Sequence, residues 1–144
     1  MYHINHKLLE SLPDDIIMNN IIPYTYEKQP KQLLQDIRSY TADLDLIDNY
    51  YMFESNEIVL LNDLVRFCNN NIAPLYDVEP RYETILKRHF CIKDMSPLEI
   101  KQFVFFEFHR RLIVYPERKI KFLWGLLTPT ERTRFFNRYV LPNE

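Results

Sequence analysis

The chain has 144 residues, 47% hydrophobic, 15% aromatic and 26% charged, with a net charge of −2. This is length for one domain, or for a short module joined to a larger one, with bulky apolar side chains enough for a core. One glycine against nine prolines disfavours a β-rich fold, whose tight turns draw on glycine, and favours helices punctuated by proline.

The prolines mark most of the helix starts, because the missing N–H of a proline would be unpaired in a first helical turn anyway. Ser11 with Pro13, Asp14 and Asp15 reads as a cap, an early proline and first-turn acids, opening a helix that ends near Pro23. Pro30 opens the next. Leu33, Ile37, Tyr40, Leu44, Ile47 and Tyr51 then follow alternating steps of four and three, an amphipathic stripe of about six turns. Ser55 is the expected start of a third helix, with Leu61, Leu64, Val65 and Cys68 inside, and "NNN" at 69–71 breaks it.

Pro80 opens a fourth helix carrying Tyr82, Ile85, Leu86, His89 and Phe90. "SPLE" (96–99) and "TPTE" (128–131) each offer a hydroxyl cap, a proline at the first helical position and a glutamate that reaches back to the cap. "FVFFEF" (103–108) has strand-like composition, but it follows a full capping box and reads as helix. Pro116 opens one more helix through Ile120, Leu123, Trp124 and Leu127. The expectation is an all-α, compact, bundle-like array of six to eight short helices, with no sheet and no repeat. Residues 1–70 and 71–144 are a plausible pair of regions divided at "NNNIAPLYDVEP" (69–80), or one single domain.

Catalytic and metal-binding signatures are weak. His3, His6, His89, His109, Cys68 and Cys91 include close pairs, but none has the second ligand pair of a structural zinc site. No serine or cysteine sits in a glycine-rich elbow, and one glycine leaves no phosphate-cradling loop. Asp14-Asp15 is explained by the helix dipole. The chain therefore reads as a non-enzyme without cofactor or metal. No apolar run approaches the roughly 18–20 residues of a membrane span, and the start lacks the regions of a secretory signal. Two cysteines make no disulfide framework, so a reducing intracellular compartment is expected.

Charge divides unevenly. Residues 1–72 hold 5 Lys and Arg against 11 Asp and Glu, and residues 73–144 hold 13 against 9. Between His109 and Arg138 stand Arg110, Arg111, Arg118, Lys119, Lys121, Arg132, Arg134 and Arg138, with aromatics interleaved. Such a surface suits RNA, DNA or an acidic partner. The same pattern arises when the aromatics are core and the cations are the solvated faces of two helices. Trp124, Phe135 and Phe136 fall at core spacing.

The first helix carries five apolar residues in seven positions, Ile16, Ile17, Met18, Ile21 and Ile22, more than the stripe a small domain needs. Here the chain resembles the F-box, which begins Leu-Pro-x-acid-Ile-Ile/Leu. The match is Leu12, Pro13, Asp15, Ile16 and Ile17, then Ile21, Ile22 and Tyr24, then Leu33, Leu34 and Ile37. The wording also looks like the F-box-like proteins of nucleocytoplasmic large DNA viruses, which the abundance of Ile, Asn, Lys, Tyr and Phe would suit. The resemblance implies that Leu12, Pro13, Ile16, Ile17, Ile21 and Ile22 face the adaptor subunit of a cullin–RING ubiquitin ligase, with recruitment of substrates as the role.

It covers about residues 10–45 and departs from the pattern twice. Three residues, Met18, Asn19 and Asn20, separate the Ile pairs where the family has two, a rotation of about 100° on an α-helix. Thr41 stands where the family has tryptophan. The alternatives are a nucleic-acid-associated or multi-subunit complex component using the basic half, and a viral structural or assembly protein.

Overall fold

The computed structural model describes residues 13–21, 30–54 and 56–141, and the chain divides into two compact units, Met1–Leu34 and Gln35–Glu144. The fold is all-α, with seven helices and no strand among the described residues. These are α1 (Asp14–Ile16), α2 (Lys31–Glu54), α3 (Glu57–Cys68), α4 (Pro80–Leu86), α5 (Pro97–Phe105), α6 (Pro116–Leu126) and α7 (Pro129–Tyr139). Two of them continue with a change of hydrogen bonding: α1 runs into a π turn at Ile17–Ile21, and α5 into another at Phe106–Arg110.

In the first unit Pro13 is the residue before the helix rather than within its first turn. Its φ of −57° and ψ of 139° are extended, and its carbonyl accepts from the N–H of Ile16 (3.0 Å) and of Ile17 (3.2 Å). The ring fixes φ at a value that suits a helix entrance, so the helical residues begin at Asp14. The expected Ser11 cap, and the expected end near Pro23, lie outside the described residues.

The second unit is a helical array around one buried cluster. Leu44, Ile47 and Tyr51 of α2, Leu60, Leu61 and Leu64 of α3, Ile85 and Leu86 of α4, Ile100 and Val104 of α5, Leu123 and Trp124 of α6, and Phe135 of α7 all belong to it. Fully burying each such side chain is worth about 1.5–3 kcal/mol. The segment 69–80, expected as a boundary, lies inside this unit, and residues on both sides of it share the cluster. Of the expected stripe on α2, Leu44, Ile47 and Tyr51 are buried and Tyr40 half-buried, whereas Leu33 and Ile37 are exposed.

Local chemistry explains the breaks. Asn56 caps α3, its side chain accepting from the N–H of Val59 at 3.1 Å, and the expected Ser55 start lies outside the described residues. After α3, Asn70 and Asn71 take left-handed φ values of 53° and 65°, which asparagine tolerates better than most residues. Asn69 is fully buried and saturated: it donates to the carbonyls of Ile72 (2.8 Å) and Asp77 (2.9 Å) and accepts from the N–H of Glu79 (2.7 Å). That side chain folds the 69–79 loop against α3.

Helix α4 stops at Leu86, short of the expected His89 and Phe90, because the backbone tightens into i→i+3 bonds from Arg88 to Ile85 and from His89 to Leu86. Both capping boxes form as expected, at Ser96 with Glu99 and at Thr128 with Glu131. "FVFFEF" is helical, but its last residues pass into the π turn. Ile100, Val104 and Phe108 are buried at four-residue steps, each of which drifts about 40° round an α-helix. A turn closed over five residues slows that drift and keeps Phe108 on the core.

Candidate functional site

Of the residues expected to dock a partner, Pro13 and Ile16 are exposed and Ile17 is half-buried. Ile21 is the last residue of the π turn, and Leu12 and Ile22 lie outside the described residues. Met18, between them, is 61% exposed. The π turn alters the spacing argument. On an i→i+5 helix, residues five apart stack as residues four apart do on an α-helix. Position 21 is thus brought back towards the face of position 16.

The eight cations expected on one basic face are dispersed. Arg132 is a correction: it is 1% exposed. Its Nε donates to the Trp124 carbonyl (3.0 Å), and its Nη1 donates to the carbonyl (3.0 Å) and carboxylate (2.9 Å) of Asp36. A guanidinium taken from water needs such partners, and the α6 backbone and Asp36 of α2 supply them. Lys121 pairs with Glu117 at 2.6 Å, in a depression that also holds Asp48 and Glu57. Arg138 lies over Tyr139 in another depression beside Asn71. Arg110 and Arg134 are exposed.

The remaining three, Arg111, Arg118 and Lys119, meet at one place. They line a cleft of about 260 Å³ together with Phe103, Phe108, Val114 and Phe122, and with Glu107 and Tyr115. These residues come from α5, its π turn, α6 and the 111–115 link between them. Lys119 is half-buried and donates to the carbonyls of Glu107 (2.7 Å) and Arg111, so it ties off the C-terminal end of the π turn from the first turn of α6. Burial there pulls the pKa of the Lys119 ammonium down, against the pull of the Glu107 carboxylate 3.9 Å away.

The two arginines are differently held. Arg111 lies over the Phe106 ring at 5.5 Å and reaches the Glu107 carboxylate at 3.5 Å. Arg118 lies over the Tyr115 ring at 5.0 Å and has no carboxylate partner among the described residues. Tyr115 has a φ of 51° and ψ of 55°, left-handed backbone that costs a non-glycine residue roughly 1–2 kcal/mol. It sits directly before Pro116, and that conformation turns the chain from the π turn into α6. A π turn and a strained residue at one mouth are the kind of local irregularity that clusters at functional sites.

The basic run with its interleaved aromatics marks the cations of this cleft, Tyr115 and Phe122, but not the rest of its walls. Phe103, Glu107, Phe108 and Val114 carry no such mark, and the available signal is the aromatic run "FVFFEF" followed one helix later by the basic "ERKIK" (117–121). Elsewhere, Cys68 is fully buried and Cys91 exposed, and burial pushes the Cys68 thiol up to about 12. Among the described residues no three His, Cys, Asp or Glu side chains converge as metal ligands. None of their helices is long and apolar enough to cross a membrane. Comparison with models of protein families, with characterised proteins and with solved structures gives no match to this chain.

Proposed function

We propose that this chain is a non-catalytic adaptor that joins two proteins: residues 12–22 dock, F-box fashion, on the adaptor subunit of a cullin–RING ubiquitin ligase, and the C-terminal helices hold a target. The observation that carries the reading is the π turn at Ile17–Ile21. Without it, the second Ile pair is rotated by about 100° from the family's spacing. With it, the longer insert is compatible with one apolar docking face, which would include the exposed Ile16.

The test is co-purification. The adaptor subunit, co-expressed with the chain, should be retained by the wild type and lost from the Leu12→Asp/Ile17→Asp double variant while the circular dichroism stays helical. Retention by the double variant would refute the docking role.

The alternative of a basic surface for a macromolecular partner is favoured in its acidic-partner form by one observation, the meeting of Arg111, Arg118 and Lys119 around an apolar cleft. A nucleic-acid backbone asks for a continuous row of cations, whereas here Arg132 is buried and Lys121 is paired with Glu117. A role in a viral assembly is compatible with either form of binding, and nothing in the helices favours it over them.

A further inference from the structure

We propose that the cleft between α5 with its π turn and α6 is a peptide-docking site, which takes one bulky apolar side chain of an acidic segment in another protein. The inference rests on the acidic-partner reading of this cleft, which it deepens, and is independent of the docking role of residues 12–22.

Size comes first. A dry apolar cavity of about 150 Å³ holds benzene, so a cleft of about 260 Å³ has room for a Phe or Leu side chain and the start of its backbone. Phe103, Phe108, Val114 and Phe122 offer such a side chain apolar contact from several sides. The rings are not free platforms for stacked bases. Phe108 is buried and stacks on Phe122 (centroids 6.4 Å apart), and it meets Phe103 edge-on at 6.0 Å.

Charge decides the rest. Three cations line the cleft against one acid, Glu107. Lys119 is committed to backbone carbonyls, and Arg111 is shared loosely with Glu107. Arg118 is exposed, without a carboxylate partner among the described residues, and braced by the Tyr115 ring. A partner that places an Asp or Glu beside its apolar anchor supplies the missing anion, and a guanidinium braced over a ring is well placed for a planar carboxylate. A basic or neutral segment would meet repulsion or leave Arg118 unanswered.

The experiment is selection from a random peptide library displayed on phage, against the full-length wild type, followed by fluorescence anisotropy of the enriched peptides. Enriched sequences should place Phe, Leu or another bulky apolar residue within two positions of Asp or Glu. Arg118→Glu should weaken binding about tenfold, and Val114→Trp, which fills the cleft, by more than that. Amide shifts of the wild type on titration should centre on Phe103, Val114, Tyr115 and Phe122, a readout that needs no variant to fold.

Failure to enrich any peptide, enrichment without acids, or shifts elsewhere would overturn the proposal. So would tighter binding of an oligo-dT 20-mer than of the best peptide at the same salt. Loss of peptide binding with the ubiquitin-ligase adaptor retained would separate this site from the docking of residues 12–22.

Discussion

The Arg132 guanidinium is buried 2.9 Å from the carboxylate of Asp36, a residue 96 positions earlier in the chain. It ties α7 to α2, and the neighbouring bond from Trp124 Nε1 to the Tyr40 carbonyl (3.1 Å) ties α6 to the next turn of α2. The same guanidinium faces the Tyr40 ring at 5.5 Å and the Trp124 ring at 5.8 Å.

Replacing Arg132 therefore removes a hydrogen-bonding hub. Arg132→Ala is expected to cost roughly 3–4 kcal/mol, since it leaves a cavity and two carbonyls without their side-chain donor. Asp36→Asn should cost about 1 kcal/mol or less, because the Asp36 side chain is 46% exposed and water can replace the ion pair. Urea unfolding of the two variants measures this asymmetry. Equal losses would show that the guanidinium is held by the ion pair alone.

Acid should weaken the second unit through Glu131. Burial raises its pKa, but the Arg88 guanidinium, at 2.6 and 3.0 Å, and the Thr128 N–H, at 2.8 Å, outweigh burial and hold the carboxyl below its ordinary 4.5. A depressed acid stabilises the fold fully above its unfolded pKa, and that contribution fades as pH falls through the folded one. Stability measured from pH 7 to pH 3 should drop below about 4.5 in the wild type. The drop should be smaller in Glu131→Gln, which starts lower at pH 7.

Tyr115 isolates a backbone cost. Its side chain is 65% exposed, so little burial is lost on truncation. Tyr115→Gly should be more stable than Tyr115→Ala by about 1 kcal/mol, because only glycine relieves the left-handed strain. Thermal denaturation of the pair checks it, and a more stable alanine variant would mean that the turn relaxes. Both variants should bind selected peptides more weakly, having lost the ring under Arg118.

The two thiols should differ sharply. Cys91 is exposed, while Cys68 is sealed in the core with its pKa pushed up to about 12. A chromogenic disulfide reagent at pH 8 should titrate one thiol quickly and the second only on unfolding. Two fast thiols would show that the α3 core opens readily.

Much of this was legible in the chain and some was not. Capping boxes at Ser96 and Thr128, and the proline starts of α4, α5, α6 and α7, are local: the residues that make them lie within one turn. The inner half of the α2 stripe is legible from its helical period. Arg132 was unreadable as a core residue, because what makes its burial tolerable lies on a helix far away in sequence. The π turns were equally hidden, since a change from i→i+4 to i→i+5 bonding is set by what packs on the helix. At 106–110 that includes Lys119, which reaches back from α6. The cleft followed from both: its cations stood in the basic run, but its walls needed the π turn to face α6.

The most direct test of the adaptor reading is calorimetric titration of the cullin–RING ligase's adaptor subunit into three forms of the chain: wild type, a deletion of Asn19, and an insertion of one alanine after Asn19. If the π turn absorbs the extra residue, the wild type binds. The deletion, with the family's spacing on a plain α-helix, then binds within a few-fold of it, and the insertion loses binding. No heat from the wild type, or equal affinity for all three, would contradict it.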